Sequence, residues 1–66
     1  MVIPNLSQMH EEDIRNWVYS LTKEQILADL VHLSDALTQR FGQEISFILS
    51  SKQPPKFYML EVASTP

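Results

Sequence analysis

The stretch LTKEQI, residues 21–26, contains the start signal of a helix and divides the N-terminal part of the chain into two segments. Thr22 and Gln25 have the spacing of a capping box, in which each side chain accepts the backbone N–H of the other residue. Leu21 and Ile26 flank this box at the positions of a hydrophobic staple. The stretch therefore predicts that a second helix begins after Thr22, with one unbroken helix as the alternative.

The segment after this start has the pattern of an amphipathic helix, because its apolar residues recur at alternating spacings of four and three. These positions are Ile26, Leu30, Leu33, Leu37 and Phe41. Arg40 suits the negative end of a helix, and Gly42, the only glycine of the chain, suits the left-handed residue that ends one. A continuous second helix is predicted from Lys23 to Phe41.

The segment before the capping box also predicts a helix. Ser7 is a suitable N-cap, and the acidic run EED, residues 11–13, lies where negative charge favours a helix start. Glu11 can pair with Arg15 one turn later. Helix one is predicted from about Gln8 to Ser20, after an extended lead-in. The apolar positions of its buried face are Ile14, Trp17, Val18 and Leu21.

Beyond Gly42 the pattern changes from helical to β. The segments EISFIL, residues 44–49, and KFYMLEV, residues 56–62, are rich in β-branched and aromatic residues, and the polar loop SSKQPP joins them. Two paired strands are predicted, and a short third helix over residues 43–50 is the competing interpretation.

These elements define a single small domain over residues 1–66, of α+β or mainly α class. Its parts are a lead-in at 1–6, a helical hairpin at 7–42, a β-hairpin or extended tail at 43–62 and a frayed end at 63–66. A chain of 66 residues buries a limited core, and it has no cysteine for disulfides. We therefore expect it to gain stability by association, as a dimer formed through the helices.

Charge and hydropathy narrow the function classes. The net charge is −3 and only five residues are Lys or Arg, which disfavours binding to nucleic-acid phosphates. No apolar run approaches the roughly 18 residues of a membrane span, and the start MVIPNLS lacks the features of a signal peptide. The expected location is the cytoplasm.

The residues with chemical potential are few and favour ordinary structural roles. His10 and His32 each have an aspartate three positions later, Asp13 and Asp35, but a metal site needs three or four converging ligands. Ser34 is too close in sequence to His32 and Asp35 for a hydrogen-bonded catalytic relay on a helix. No catalytic, cofactor or metal site is predicted, and we expect no enzyme activity.

The remaining signal is a surplus of apolar surface on the second helix and on both strands, more than a monomer of this size can cover. It predicts a non-catalytic protein-interaction module, an adaptor or inhibitor that acts on a larger protein complex and also forms homodimers. A helix-turn-helix-like regulator that binds nucleic acid is the alternative. The predicted interface residues are Trp17, Leu30, Leu37, Phe41, Phe47, Phe57, Tyr58 and Leu60.

The segment LTKEQILADLVHLSDAL, residues 21–37, resembles the second helix of the small cyanobacterial phycobilisome-degradation adaptors. The shared features are a capped start with a basic residue, Glu and Gln, a following Leu-Val-x-Leu, and an LS pair at residues 6–7 before the first helix. The resemblance implies a helical hairpin that dimerises into a four-helix bundle. It also implies an adaptor that connects antenna proteins to a protease.

Overall fold

The computed structural model describes residues 1–60 and shows a mixed α+β fold, as predicted. The elements that follow the N-terminal lead-in are a 3-10 turn at Leu6–Gln8, helices α1 (Glu11–Tyr19), α2 (Lys23–Ala28) and α3 (Leu30–Phe41), and strands β1 (Ile45–Ile48) and β2 (Lys56–Met59). The predictions made for residues 61–66 lie outside the described residues. The helical hairpin and the dimer stay predictions.

The predicted start of helix one is wrong. The side-chain Oδ1 of Asn5 accepts hydrogen bonds from the Ser7 backbone N–H at 3.2 Å and from the Ser7 hydroxyl at 2.6 Å. Asparagine competes for nearby backbone donors in this way, so Ser7 lies inside a 3-10 turn and does not cap a helix. Met9 is extended, and α1 begins at Glu11 with His10 at the N-cap position.

The capping box at the start of α2 is confirmed. The Thr22 Oγ1 accepts the Gln25 N–H at 3.1 Å, and the Gln25 Oε1 accepts the Thr22 N–H at 2.8 Å. Both bonds satisfy backbone donors that the first helical turn leaves unpaired. The second helix therefore starts at Lys23, where the sequence places it.

The prediction of one continuous second helix is wrong, because Asp29 interrupts it with φ −134° and ψ 34°. The Asp29 carboxylate accepts a hydrogen bond from His32 Nδ1 at 2.7 Å and lies 3.6 Å from the N-terminal amine. These two partners stabilise aspartate as the residue that precedes α3, outside the helix. His32 consequently pairs with Asp29, and not with the Asp35 considered in the sequence.

The end of α3 and the two strands agree with the sequence. Gly42 adopts φ 72° and its N–H donates to Thr38 O at 2.8 Å. The strands β1 and β2 form a two-stranded antiparallel sheet, which excludes a third helix in this region. Ile45 lies opposite Met59, and Phe47 lies opposite Phe57.

One apolar core connects all of these elements. Its buried side chains are Leu6, Ile14, Val18, Ile26, Leu33, Leu37, Ile45 and Phe57. The Phe57 ring lies 5.7 Å from the Phe41 ring and 6.4 Å from the Phe47 ring, between centroids. The aromatic cluster therefore joins the end of α3 to both strands. On either side of it, α1 packs beside β2 and α3 packs beside β1.

Candidate protein-interaction surface

The eight predicted interface residues fall into three groups by burial. Leu37 and Phe57 are buried, with 0% and 4% of their surface exposed, so the chain's own core occupies them. The partly buried residues, packed against that core, are Trp17, Phe41 and Phe47. The exposed residues are Leu30, Tyr58 and Leu60. A partner that meets this chain in the described conformation contacts the third group.

The hydrogen-bond pattern of the sheet decides which backbone groups face its two edges. The Leu60 N–H donates to Glu44 O at 2.8 Å, which identifies these opposed residues as a hydrogen-bonded pair. Such pairs alternate with non-bonded pairs along an antiparallel ladder. The backbone N–H and C=O groups of Ile45 and Phe47 therefore point away from β2, and those of Phe57 and Met59 point away from β1.

The β2 edge is covered by Arg15 from α1. The Arg15 Nη1 donates to Phe57 O at 3.1 Å, and the guanidinium carbon lies 4.7 Å from the centroid of the Phe57 ring. A hydrogen bond from a charged donor and a cation–π contact thus act on one residue. Glu11 accepts a bond from Arg15 Nε at 3.1 Å, as predicted, and holds the guanidinium in place.

The β1 edge has no comparable cover within residues 1–60. Among these residues, no hydrogen bond outside the β1–β2 ladder engages the backbone of Ile45 or Phe47. An edge of this kind is a template for pairing with another chain. Within residues 1–60, an arginine therefore contacts the β2 edge at Phe57, and the β1 edge has no such contact.

An open groove of about 490 Å³ lies beside the start of β1. Its lining residues, which define the α3–β1 groove, are Leu30, Val31, Ser34, Asp35, Thr38, Glu44 and Ile45. Val31 is 78% exposed and Leu30 is 37% exposed, so the helical wall presents two solvent-accessible apolar side chains beside the polar residues Ser34, Asp35 and Thr38. The groove is lined by two carboxylates and by no Lys or Arg. It combines apolar surface, negative charge and, at Ile45, the edge of a strand.

The outer face of the sheet is also partly apolar. Ile48 and Tyr58 are 52% and 44% exposed, and they alternate with the polar residues Ser46 and Lys56 across the ladder. The sequence predicted apolar residues on both faces of both strands. The register shows that only the face with Ile45 and Phe47 packs on the core, while the outer face is mixed.

A second arginine connects the lead-in to α3. The Arg40 Nε donates to Leu6 O and its Nη2 donates to Met9 O, each at 2.9 Å. The sequence identified Arg40 only as a charge suited to a helix end. Its partners lie 34 and 31 residues away in the chain, so no local pattern indicates this contact.

The pKa of Asp29 lies below its ordinary value. The hydrogen bond from His32 lowers the pKa of Asp29, and burial opposes this effect. The charge of His32 and that of the nearby N-terminal amine lower the pKa further. The ionised carboxylate is thus the form that holds the start of α3 in place.

Sequence reasoning missed Val31 and Leu27 as candidate interface residues. Neither belongs to the four-and-three spacing of the second helix, and they are 78% and 51% exposed. Their position beside the main four-three spacing is the signal that identifies them, because the core occupies the centre of that stripe at Leu33 and Leu37. Arg15, the residue that covers the β2 edge, was predicted to pair only with Glu11.

Residues 1–60 show neither a metal-ligand cluster nor a membrane-spanning helix. No group of three or more His, Asp or Glu side chains in this range converges as metal ligands would. Within the same range, no helix has the length and apolar character needed to span a bilayer. The candidate site is the α3–β1 groove together with the adjacent β1 edge.

Comparison with known proteins adds no relative to this description. No family model, no curated protein and no solved structure matches the chain.

Proposed function

We propose that this chain is a small non-catalytic protein-interaction module that binds a larger protein, as an adaptor or an inhibitor. The observation that carries the proposal is the combination of a β1 edge that no other segment of residues 1–60 pairs with and the exposed apolar side chains of Leu30 and Val31. Exposed apolar surface beside an unpaired edge is typical of sites where another protein docks. Adaptor and inhibitor differ only in what the bound partner does next.

The charge distribution supports a protein partner over nucleic acid. Helix α3, which a helix-turn-helix-like regulator would insert into the major groove, begins after Asp29 and exposes Asp35. Its one arginine, Arg40, donates to backbone carbonyls of the lead-in. Such a surface offers little to phosphates. A salt-dependent gel shift with duplex DNA tests the alternative, and we expect no shift.

Homodimerisation, predicted from the sequence, remains part of the proposal with a changed interface. A seam through Leu37 would require that residue to leave the core, where none of its surface is exposed. Self-association would instead use exposed groups such as Leu27, Val31 and Ile48. Light scattering over about a hundredfold dilution separates a dimer from a monomer, since a dimer dissociates by mass action.

The resemblance of residues 21–37 to the phycobilisome-degradation adaptors suggests one kind of larger target, an antenna protein bridged to a protease. The segment carries the predicted capping box, but Asp29 divides it into α2 and α3. The resemblance therefore supports an adaptor role more than a four-helix bundle. The proposal of an interaction module depends on the groove and does not require the resemblance.

The test compares two identical substitutions at two exposed valines. Val31→Glu places a charge on the wall of the α3–β1 groove, and Val2→Glu places the same charge on the lead-in, where Val2 is 91% exposed. Neither change buries the new carboxylate, so circular dichroism should show folded protein for both. The source cell extract is then passed over immobilised wild type and each variant.

We expect a protein that is retained by the wild type and by Val2→Glu and lost with Val31→Glu. After purification, that protein should bind Val31→Glu at least about tenfold more weakly than wild type, a difference of about 1.4 kcal/mol. Equal retention by all three proteins contradicts the proposed binding surface.

A further inference from the structure

The α3–β1 groove also indicates the chemistry of its occupant, an inference that rests on the proposed function. The backbone groups of Ile45 and Phe47 that point away from β2 match the hydrogen-bonding needs of an added antiparallel or parallel strand. The groove runs beside this edge at Ile45, so a segment paired with β1 lies next to the wall of α3. An extended segment is the shape that fits both features.

The two faces of such a strand meet different surfaces. Side chains of β1 alternate, so Ile45 and Phe47 face the core side and Glu44, Ser46 and Ile48 face outward. Inward side chains of an added strand would lie against the apolar wall that carries Leu30 and Val31. Outward side chains would lie beside Glu44. A partner segment that fits these two surfaces therefore has apolar residues at every second position.

The negative charge of the groove favours basic residues at the outward positions of the added strand, between its apolar residues. Asp35 and Glu44 are both exposed, and the groove has no basic side chain to pair with them. Lys or Arg at the outward positions of the added strand would meet the Glu44 carboxylate at short range, where attraction is weakly screened, and Asp35 adds negative charge on the α3 side of the groove. A strand with acidic residues at those positions would be repelled.

The same consideration disfavours a second copy of this chain at the β1 edge. The segment QEISFI, residues 43–48, carries a glutamate and no basic residue, so its addition brings no cation to Asp35 or Glu44. Two copies would instead place four carboxylates around one junction, each copy having a net charge of −3. A different protein is the better match.

We infer that the α3–β1 groove and the β1 edge bind an extended segment of a partner protein with alternating apolar and basic residues, which adds as a third strand to the sheet. Backbone bonds to Ile45 and Phe47 provide the pairing, Leu30 and Val31 contact the apolar side chains, and Glu44 selects the basic ones.

The probe is a blocked eight-residue peptide of alternating Val and Lys, added to the full-length ¹⁵N-labelled chain at physiological salt. We expect shifted and newly protected amide signals at Ile45 and Phe47. A peptide of alternating Val and Glu should bind at least about tenfold more weakly, or about 1.4 kcal/mol. The Val/Lys peptide with its alternate amides N-methylated, which cannot pair along one edge, should also lose binding.

Charge reversals at two exposed glutamates test whether Glu44 favours the basic peptide. Glu44→Lys should weaken binding of the Val/Lys peptide at least about tenfold and improve binding of the Val/Glu peptide. Glu12→Lys makes the same change on exposed α1 and should alter affinity by less than about twofold. Circular dichroism of both variants confirms that they are folded, which is expected because both glutamates are exposed.

Three results would overturn the inference: unchanged Ile45 and Phe47 amides with the Val/Lys peptide, equal affinity for the two peptides, or a dimer in which these amides are protected without peptide. The last result assigns the edge to a second copy. If the peptide fails while Val31→Glu still removes a captured protein, the interaction surface stands and only the chemistry of its occupant is wrong. If the peptide binds while Val31→Glu changes no capture, the proposed function fails instead.

Discussion

The two edges of the small sheet differ in what lies against them. At the β2 edge, Arg15 donates to Phe57 O and stacks on the Phe57 ring. At the β1 edge, the backbone of Ile45 and Phe47 has no such partner within residues 1–60, and the α3–β1 groove lies beside it. One side chain from a neighbouring helix therefore separates a closed edge from an open one.

The two edges of a two-stranded sheet can be protected from unwanted pairing with other chains by different means. Exposed edges are commonly protected by charge or by covering elements. Here the β2 edge is protected by a cation held on a ring, and the β1 edge has only the carboxylates of Asp35 and Glu44 nearby. Negative charge admits some strands and rejects others, whereas Arg15 directly bonds one backbone group of its edge, Phe57 O.

Phe57→Ala should have the greatest effect, because the Phe57 ring packs against residues next to both edges of the sheet. The Phe57 side chain is 4% exposed and packs against the rings of Phe41 and Phe47. Truncation of a buried phenylalanine costs about 3–5 kcal/mol, a large part of the stability of a small domain. We expect loss of most helical circular dichroism at 25 °C or a strongly lowered urea midpoint.

The control for this variant is Tyr58→Ala, one residue further along β2. Tyr58 points to the outer face and is 44% exposed, so its truncation should cost about 1 kcal/mol or less. Similar midpoints for the two variants would mean that the core does not depend on Phe57.

An intermediate effect is expected for Arg15→Gln, which makes the two edges more alike. The change removes a charged donor to Phe57 O and the cation–π contact, worth together about 1–2 kcal/mol at a partly exposed site. Hydrogen exchange should accelerate at the β2 amides, while Ile45 and Phe47 stay as fast as in wild type.

Glu11→Gln serves as the matched control, because it removes only the exposed ion pair with Arg15 and should cost less than about 0.5 kcal/mol. If Arg15→Gln is no more harmful than Glu11→Gln, Arg15 does not stabilise the β2 edge.

The smallest effect concerns Asp29, at the start of the helix on the open side. His32 lowers the pKa of Asp29 in the folded chain, so the ionised form favours folding. This contribution is complete above the ordinary pKa of about 4 and is lost as the pH falls through the lower folded value. Melting temperature should therefore fall below about pH 4, and Asp29→Asn should reduce that fall.

The pH dependence needs a reference because other carboxylates also titrate in this range. Glu24→Gln removes an exposed carboxylate in the first turn of α2 and should leave the pH profile close to that of wild type. A profile for Asp29→Asn that matches wild type would contradict the role given to the His32 bond.

The parts of the fold that were predicted from the sequence are those decided by neighbours in the chain. Thr22 and Gln25 form the predicted capping box, and Gly42 adopts the left-handed conformation expected after a helix. The strands were recognised from their β-branched and aromatic residues. Each of these features depends on a few consecutive residues, which is the range over which pattern and propensity apply.

The errors arose where a polar side chain chose between competing partners. Asn5 accepts from Ser7 and displaces it as a helix cap, and Asp29 pairs with His32 and the N-terminal amine in place of continuing a helix. The sequence shows that such residues are present. It does not show which donor each will take, because the N-terminal amine meets Asp29 only in the folded chain.

The predicted interface residues differ in their burial. Leu30 and Tyr58 are exposed as an interface requires, whereas Leu37 and Phe57 fill the core. Large apolar residues indicate both cores and interfaces, and only the packed structure separates the two uses. The role of Arg15 at Phe57 O joins residues 42 positions apart, beyond any local pattern.

Arg40 has a consequence for how the chain opens locally. Its guanidinium donates to Leu6 O and Met9 O at the same time. The lead-in can therefore detach from the last turn of α3 only when both hydrogen bonds break. Segments joined in this way open as one cooperative unit in native-state fluctuations. We expect the first nine residues and the end of α3 to behave as a single foldon, despite lying at opposite ends of the helical part of the sequence.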